Sequence, residues 1–284
     1  MSVFLSRLLV PVLAFFCGFL GDERPAQAEE KVFIPGYWDL RRRAEKPDVS
    51  RIRQIRFLTE SDYPPFHFIG PNGMLTGFEV DLARASCEVL GVTCTIQPHR
   101  WDRLLDALRG NVGDAVIAMV AITPENRRQF LLTSAYHRTP ARFVVSRTAP
   151  GGALGADALK GKRVAVVVGS THEAYLRAHF PTAVVVAEPN IASVLTSVQY
   201  GGVAAAFVDG VSAAFWLNGE ASGNCCRFAG GAFTESRYFG EGAGIVVRRD
   251  SQHIQQALDW ALQRLASDGT YATLYLKYFP VGIY

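Results

Sequence analysis

Four places in the chain carry residues whose types and spacing could hold a small polar molecule. Tyr63 precedes Pro64-Pro65, so its ring stands on a loop that consecutive prolines keep out of a helix. Trp101 opens a helical pattern and offers a second aromatic surface. Taken alone, either aromatic reads as core first and as a ligand platform second. Gly169-Ser170-Thr171-His172 follows an apolar strand and starts a helix, where free N–H groups favour an anion such as a carboxylate. Asp209 closes another apolar strand at its carboxyl edge, where ligands of open α/β sheets bind. An Asp there serves equally well as a helix N-cap.

Signals for covalent chemistry are thin. The chain has no G-x-S-x-G elbow, no H-E-x-x-H and no Cys set with a His as a nucleophile pair. The Gly169 turn lacks the Lys of a phosphate-binding loop, which argues against a nucleotide. Gly240-Glu241-Gly242-Ala243-Gly244 has dinucleotide-like spacing but no following helix or acid, and is noise. No His stands at ligand spacing from a Cys pair, so no metal site and no cofactor are expected.

Elements of alternating type must position these residues. Ile55 to Thr59 reads as a strand, Pro71-Asn72-Gly73 as a turn, and Glu79 to Leu90 as a helix with Val80, Ala83, Cys87 and Leu90 on one face and Gly91 at C′. Cys94 to Gln97 then reads as a strand, Trp101 to Leu108 as a helix and Ala115 to Val120 as a buried strand. Thr123-Pro124-Glu125 opens the next helix, with Thr as N-cap and Pro at N1. Ala149 to Ala156 is rich in Gly and Pro and marks a boundary. A second unit follows: strand Arg163 to Val168, a helix from Thr171, strand Ala183 to Ala187, helix Ile191 to Tyr200 and strand Val203 to Val208. Gly240 to Gly244 reads as a flexible crossing, and helices near Ile254–Ala266 and Tyr271–Tyr278 close the chain. The alternation predicts mainly parallel sheets flanked by helices, in two lobes with a cleft between them.

Composition sets the outer bounds. The 284 residues are 49% hydrophobic and 19% charged, which excludes a disordered chain and allows one large domain or two modest ones. A net charge of +3 gives no field that implies a nucleic-acid partner. The first 28 residues read as a secretory signal: Arg7, the apolar run Leu8 to Leu20, and Ala26-Gln27-Ala28 as an A-x-A cleavage site. The apolar run is shorter than the roughly 20 residues of a membrane span, although an uncleaved anchor is the alternative. Phe15-Phe16 before Cys17 argues against a lipoprotein signal. Residues 29–53 form an extension in which Arg41-Arg42-Arg43 reads as a solvated face. Export turns the four remaining cysteines into disulfide candidates, with three connectivities open. A Cys87–Cys94 bridge would tie a helix to the next strand. Cys225-Cys226 is open between a vicinal disulfide, two thiols and pairing elsewhere.

The motifs also occur in a telling order: Ser61-Asp62-Tyr63-Pro64-Pro65-Phe66, Gly77-Phe78-Glu79-Val80-Asp81-Leu82, Trp101-x-x-Leu104, Gly113-Asp114-Ala115 and Ile122-Thr123-Pro124-Glu125. Gly161-Lys162-Arg163-Val164-Ala165-Val166, Ala205-Ala206-Phe207-Val208-Asp209 and Asp268-Gly269-Thr270-Tyr271 continue it. Over roughly residues 54–280 the chain resembles a family 3 extracellular solute-binding protein, the class that captures polar amino acids for ABC importers. The resemblance implies the periplasmic-binding-protein type II fold, with 54–139 plus 240–284 as lobe 1 and 140–239 as lobe 2, closing about a hinge. It further implies a periplasmic monomer, a small polar ligand and an ABC permease in the inner membrane as partner. The Cys87/Cys94 pair resembles the small disulfide loop of the family's basic-amino-acid binders.

The resemblance assigns roles position by position. Glu60 is expected to read the ligand side chain, Tyr63 and Trp101 to sandwich it, and Ala118, Met119 and Ala121 to supply backbone and small contacts. Ser170, Thr171 and His172 match the second-lobe helix start, and Asp209 matches the acid for the ligand α-ammonium. One departure stands out. The family's carboxylate-gripping Arg, three residues after the Thr of Thr-Pro-Glu, is Asn126 here, and Arg127 lies about 100° further round the helix. The hydroxyls usual at 118–121 are Ala and Met. An amine, a modified amino acid, or a ligand held by Arg100 or Arg142 becomes an alternative to an ordinary α-amino acid. Two other roles stay open: a sensing subunit for a membrane receptor, and an enzyme of the cyclohexadienyl or arogenate dehydratase kind using Glu60, His172 or Glu173 as acid.

Overall fold

The computed structural model describes residues 35–38, 45–150, 154–279 and 282–283. The secretory signal and Arg41–Arg43 lie outside the described residues.

The first sheet forms around β1 (Gln54–Thr59), whose Phe57 and Leu58 are fully buried on opposite faces. A small three-stranded meander follows: β2 (Asp62–Tyr63), β3 (His67–Ile69) and β4 (Leu75–Thr76). Helix α1 (Phe78–Leu90) buries Val80, Ala83, Cys87 and Leu90 as its periodicity predicts. It stops at Gly91, whose φ of 75° lets its N–H bond to the Cys87 carbonyl. Next come β5 (Thr93–Pro98), a 3₁₀ turn (Trp101–Arg103), α2 (Leu104–Arg109), β6 (Ala115–Val116), α3 (Pro124–Gln129) and β7 (Leu131–Leu132).

The second sheet is built from β8 (Ala141–Ser146), β9 (Arg163–Val167), α4 (Thr171–His179), β10 (Val184–Glu188), α5 (Ile191–Gln199) and β11 (Ala205–Asp209). It is completed by α6 (Gly210–Asn218) and β12 (Cys226–Phe233). After α7 (Ser236–Phe239) the chain returns to the first sheet as β13 (Val246–Val247) and ends in α8 (Gln252–Ser267) and α9 (Thr270–Tyr278).

The strand orders are β5-β1-β6-β13-β7 and β10-β9-β11-β8-β12. In each sheet a single strand, β13 or β8, runs against the other four. That reversed strand is the one reached from the other sheet, which explains its direction. The sheets are therefore mainly parallel, as the βα alternation predicts. The two crossing segments pair with each other: Tyr136 N–H donates to Ala243 O and Ala243 N–H to His137 O, each at 2.9 Å. Gly242 sits at φ 101°, and a Cβ there would run into the His137 carbonyl, so the crossing needs glycine.

Two local expectations are corrected. The strand expected over Ala115–Val120 ends at Val116, and Met119 takes a φ of 50°. The helix expected from Trp101 begins as a 3₁₀ turn. The extension, in which only Arg41–Arg43 was expected to be solvated, also packs on the fold, Trp38 lying edge-on against Tyr271 at 5.0 Å.

Cys87 and Cys94 are joined, tying α1 to β5, with Cα atoms 6.0 Å apart. Cys225 and Cys226 are joined to each other, which selects the vicinal form among the sequence alternatives.

Candidate functional site

Glu60 follows the C-terminal end of β1, and its side chain is 22% exposed. Across the meander, β2 and β3 pair Tyr63 with His67. Tyr63 is half-exposed and stacks on Phe66 with ring centroids 5.3 Å apart, so the ring presents one face outward. Burial raises its phenol pKa, and the charges of Asp209 and Glu79 push it the same way. The carboxylate ending β11 in the second sheet thus acts on an aromatic of the meander.

Behind Tyr63 lies a buried polar cluster. Glu79 in the first turn of α1 is fully buried, and His67 is 1% exposed. Glu79 Oε2 meets His67 Nδ1, while Oε1 accepts the Tyr136 hydroxyl and the Met119 N–H, the latter at 2.7 Å. Met119 N–H also reaches the Tyr136 hydroxyl oxygen at 3.1 Å. Burial and the neighbouring Glu79 raise the Tyr136 pKa well above its ordinary value, so the phenol stays a donor. The positive φ at Met119 turns its N–H into this cluster. That turn is why β6 stops early.

Gly77, just before α1, makes the arrangement possible. A Cβ at its φ of 132° would collide with the Phe66 carbonyl, and Glu79 N–H bonds to that same carbonyl at 2.9 Å.

Trp101, Met119, Ala121 and Asn126 line one cavity of about 340 Å³, with Asp102 and Asp106 on its wall. Trp101 is 55% exposed. Asn126 Nδ2 donates to Ala121 O at 2.8 Å, and its N–H goes to the Thr123 N-cap oxygen at 3.1 Å. It fastens the turn that lines the cavity and brings no charge to it. Arg127 points away to Glu241, as its place on the helix predicts. Arg100 is engaged by Asp102. Arg142 lies over the Phe228 ring at 4.4 Å. Ala118 is 1% exposed, and its methyl packs in the core beside Leu58, Leu104 and Phe130.

On the second sheet, Asp209 Oδ1 accepts Ser212 N–H at 2.7 Å and caps α6. Its charge also acts on His172, whose pKa is lowered by burial and raised in part by Asp209. His172 packs among Phe207 and Phe239, at 5.8 and 5.2 Å.

The start of α4 is partly occupied by its own side chains. Ser170 Oγ accepts Glu173 N–H at 3.1 Å, and Glu173 Oε2 accepts Gly169 N–H at 2.7 Å. Thr171 is exposed as the first residue of α4. Within the first turn the side-chain cap thus takes the Glu173 N–H.

Of the residues expected at a site, Trp101, Met119, Ala121 and Asn126 come together in the lining of the cavity, whereas Glu60, Tyr63 and Asp209 stand at or beside strand ends outside that lining. Sequence reasoning missed His67, Glu79 and Tyr136 as partners. The Ser170-x-x-Glu173 spacing is a capping signal that could have foretold the Ser170 bond to the Glu173 N–H.

Two mainly parallel sheets of equivalent arrangement, each with its reversed strand in the fourth place, joined by paired crossings and carrying aromatics and acids at their strand ends, define a two-lobed solute-binding protein of the periplasmic type II fold. The description "Bacterial extracellular solute-binding proteins, family 3" matches residues 55–281. The chain belongs to that family. It is 36% identical over 225 residues to the "Putative ABC transporter arginine-binding protein 2" of Escherichia coli, covering 79% of this chain and 90% of that protein. To the "L-arginine-binding protein" of Pseudomonas aeruginosa it is 33% identical over 240 residues, or 84% and 92% of the two chains. In fold it is similar to the L-cystine solute receptor of Neisseria gonorrhoeae in its unliganded open conformation, at a TM-score of 0.72 and 24% identity, covering 83% and 97%. Among the described residues no helix is long and apolar enough to cross a membrane.

Proposed function

We propose that the chain is exported to the periplasm, cleaved after Ala28, and works as a monomer that captures a small organic cation for an ABC permease of the inner membrane. The cation is a basic amino acid or the related amine. Lobe 1, residues 54–139 with 240–284, and lobe 2, residues 140–239, close on it about the paired crossings. Glu60 reads the side-chain cation, Tyr63 and Trp101 flank it, and Asp209 meets the α-ammonium. Ser170, Thr171 and His172 form the second-lobe wall.

The observation that carries this reading is the balance of charge at the openings. Glu60 and Asp209 bring carboxylates, while Asn126 stands at the family's cationic position and Glu173 occupies the start of α4. Such a site favours a cation and grips a carboxylate weakly. The arginine-binding relatives support the same ligand class.

A binder, not an enzyme, suits the groups available. A general acid must hold a proton to give. The backbone N–H of Gly169 and the guanidinium of Arg177 hold the Glu173 carboxyl below its ordinary range. His172 is kept toward its neutral form by burial.

The test is thermal unfolding of protein refolded from denaturant, with L-arginine and its decarboxylated amine agmatine. A ligand at 100 times its dissociation constant adds about 2.7 kcal/mol of stability. Stabilisation by both, with affinities within about tenfold, is the expected result. Stabilisation by neither overturns the reading. Stabilisation by arginine alone shows a carboxylate grip that this site lacks on paper. Asn126→Arg should then favour arginine over agmatine.

A further inference from the structure

His67 is buried with one ring nitrogen satisfied and the other not. Its Nδ1 is held on Glu79. Its Nε2 is enclosed, makes no hydrogen bond, and faces Glu60 Oε2 at 4.0 Å. That gap is about 1 Å beyond a hydrogen bond.

A buried polar atom left unpaired costs free energy, and a side chain this well anchored has little freedom to find another partner. Glu79 is itself fixed by Tyr136 and Met119, so the imidazole is aimed by a frame of three elements: α1, the turn after β6, and the crossing segment. Glu60 is the movable member, since its carboxylate is partly exposed and makes no hydrogen bond among the described residues.

We propose that His67 is a positioning residue for Glu60: when a cation enters the cleft, Glu60 Oε2 closes onto Nε2–H of His67, which orients the other carboxylate oxygen toward the ligand's side-chain cation. Carboxyl oxygens face both ring nitrogens of His67, Glu79 Oε2 at Nδ1 and Glu60 Oε2 at Nε2. The ligand does not touch His67. The imidazole acts through Glu60, and its effect is on the discrimination of charged from uncharged side chains. This rests on the reading of Glu60 as the side-chain acid.

The test compares L-arginine with L-citrulline, which replaces the guanidinium by an uncharged urea of the same shape. Affinities are measured by titration calorimetry on the ligand-stripped protein and on Glu60→Gln, His67→Asn, His67→Gln and Glu60→Gln/His67→Asn. Asn can keep the bond to Glu79 but falls short of Glu60, whereas Gln can reach Glu60. The expected result is roughly a tenfold loss of arginine affinity in His67→Asn, the loss of one charge-assisted hydrogen bond, with citrulline within about twofold of the parent. His67→Gln recovers most of the loss, and the double variant is no weaker than Glu60→Gln alone.

Equal loss for both ligands, or no loss for either, in His67→Asn overturns the inference while Glu60→Gln still weakens arginine. Unchanged arginine binding in Glu60→Gln overturns the reading of Glu60 and the inference with it, as does failure of the parent to bind either probe. Should His67→Asn not fold, ¹⁵N imidazole resonances of the parent decide the matter. The Nε2 resonance absent from His67→Gln must shift with arginine and not with citrulline, and a resonance indifferent to both overturns the proposal.

Discussion

In the first sheet the chain reaches the cleft through turns shaped by buried polar groups; in the second it reaches it through the starts of helices. Glu79, His67, Tyr136 and the Met119 N–H form a closed cluster beneath Tyr63 and Glu60. Ser170 and Asp209 are half-buried, each already bonded to a backbone N–H of the helix it precedes. The two sheets have equivalent arrangements, each with its reversed strand fourth, so the sheet pattern does not explain the contrast. A helix cap is local and cheap to satisfy, because donor and acceptor are three residues apart. A buried cluster costs desolvation and works only when each member finds its partner. What it gives in return is rigidity at an aromatic and an acid on loops that would otherwise be free to turn. The first sheet therefore presents a fixed face, and the second presents capping groups to which the proposed function gives a second task.

Breaking the cluster is the largest test of this contrast. Glu79→Leu leaves His67 Nδ1 and the Tyr136 hydroxyl without their acceptor, and the Met119 N–H with the Tyr136 hydroxyl oxygen alone, in a fully buried site. The expected cost is about 3–5 kcal/mol, the range seen when one partner of a buried polar network is removed. It would appear as a lower midpoint in denaturant with unchanged slope. A cost below about 1 kcal/mol would mean that the cluster contributes no more than a surface cap.

Acid titration sharpens the comparison at the crossing between the sheets. His137 is fully buried among Phe66, Phe78 and Phe279, and burial lowers its pKa to about 3. The unfolded chain takes up a proton at this residue below about pH 6.5 and the folded chain does not, so its contribution falls as pH drops from about 6.5 toward 3. By pH 5 the loss is on the order of 2 kcal/mol. Stability of His137→Phe between pH 7 and 5 should fall correspondingly less than that of the parent. Parallel curves for the two proteins would show that His137 does not set the acid limb.

How much of this the residues foretell depends on range. The α1 helix with its Gly91 stop, the Thr123 cap, and the turning of Arg127 away from the cleft were all legible, because each is a rule of spacing within one helix. The pairing of His67 with Glu79 and Tyr136 was not, since it joins a strand, a helix and a crossing segment and leaves no periodic trace. Nor was the early end of β6 legible, because it follows from Met119 turning its N–H into that cluster. Asp209 shows the middle case. Spacing allowed a cap or a site acid, and the structure makes it a cap whose charge also acts on Tyr63 and His172.

The smallest effects belong to the second sheet, where they separate its two tasks. Ser170→Ala removes the acceptor for Glu173 N–H and should cost about 1 kcal/mol of stability. Asp209→Asn keeps an N-cap oxygen for Ser212 N–H, so its cost should stay within about 0.5 kcal/mol. The same change removes the carboxylate assigned to the ligand ammonium, and arginine affinity should fall at least tenfold, the scale of a charge-assisted hydrogen bond. Denaturant midpoints and calorimetric titrations of the two variants side by side give four numbers. If Asp209→Asn loses stability as Ser170→Ala does and keeps its affinity, Asp209 is only a cap, and the second sheet contributes no charge to the cleft.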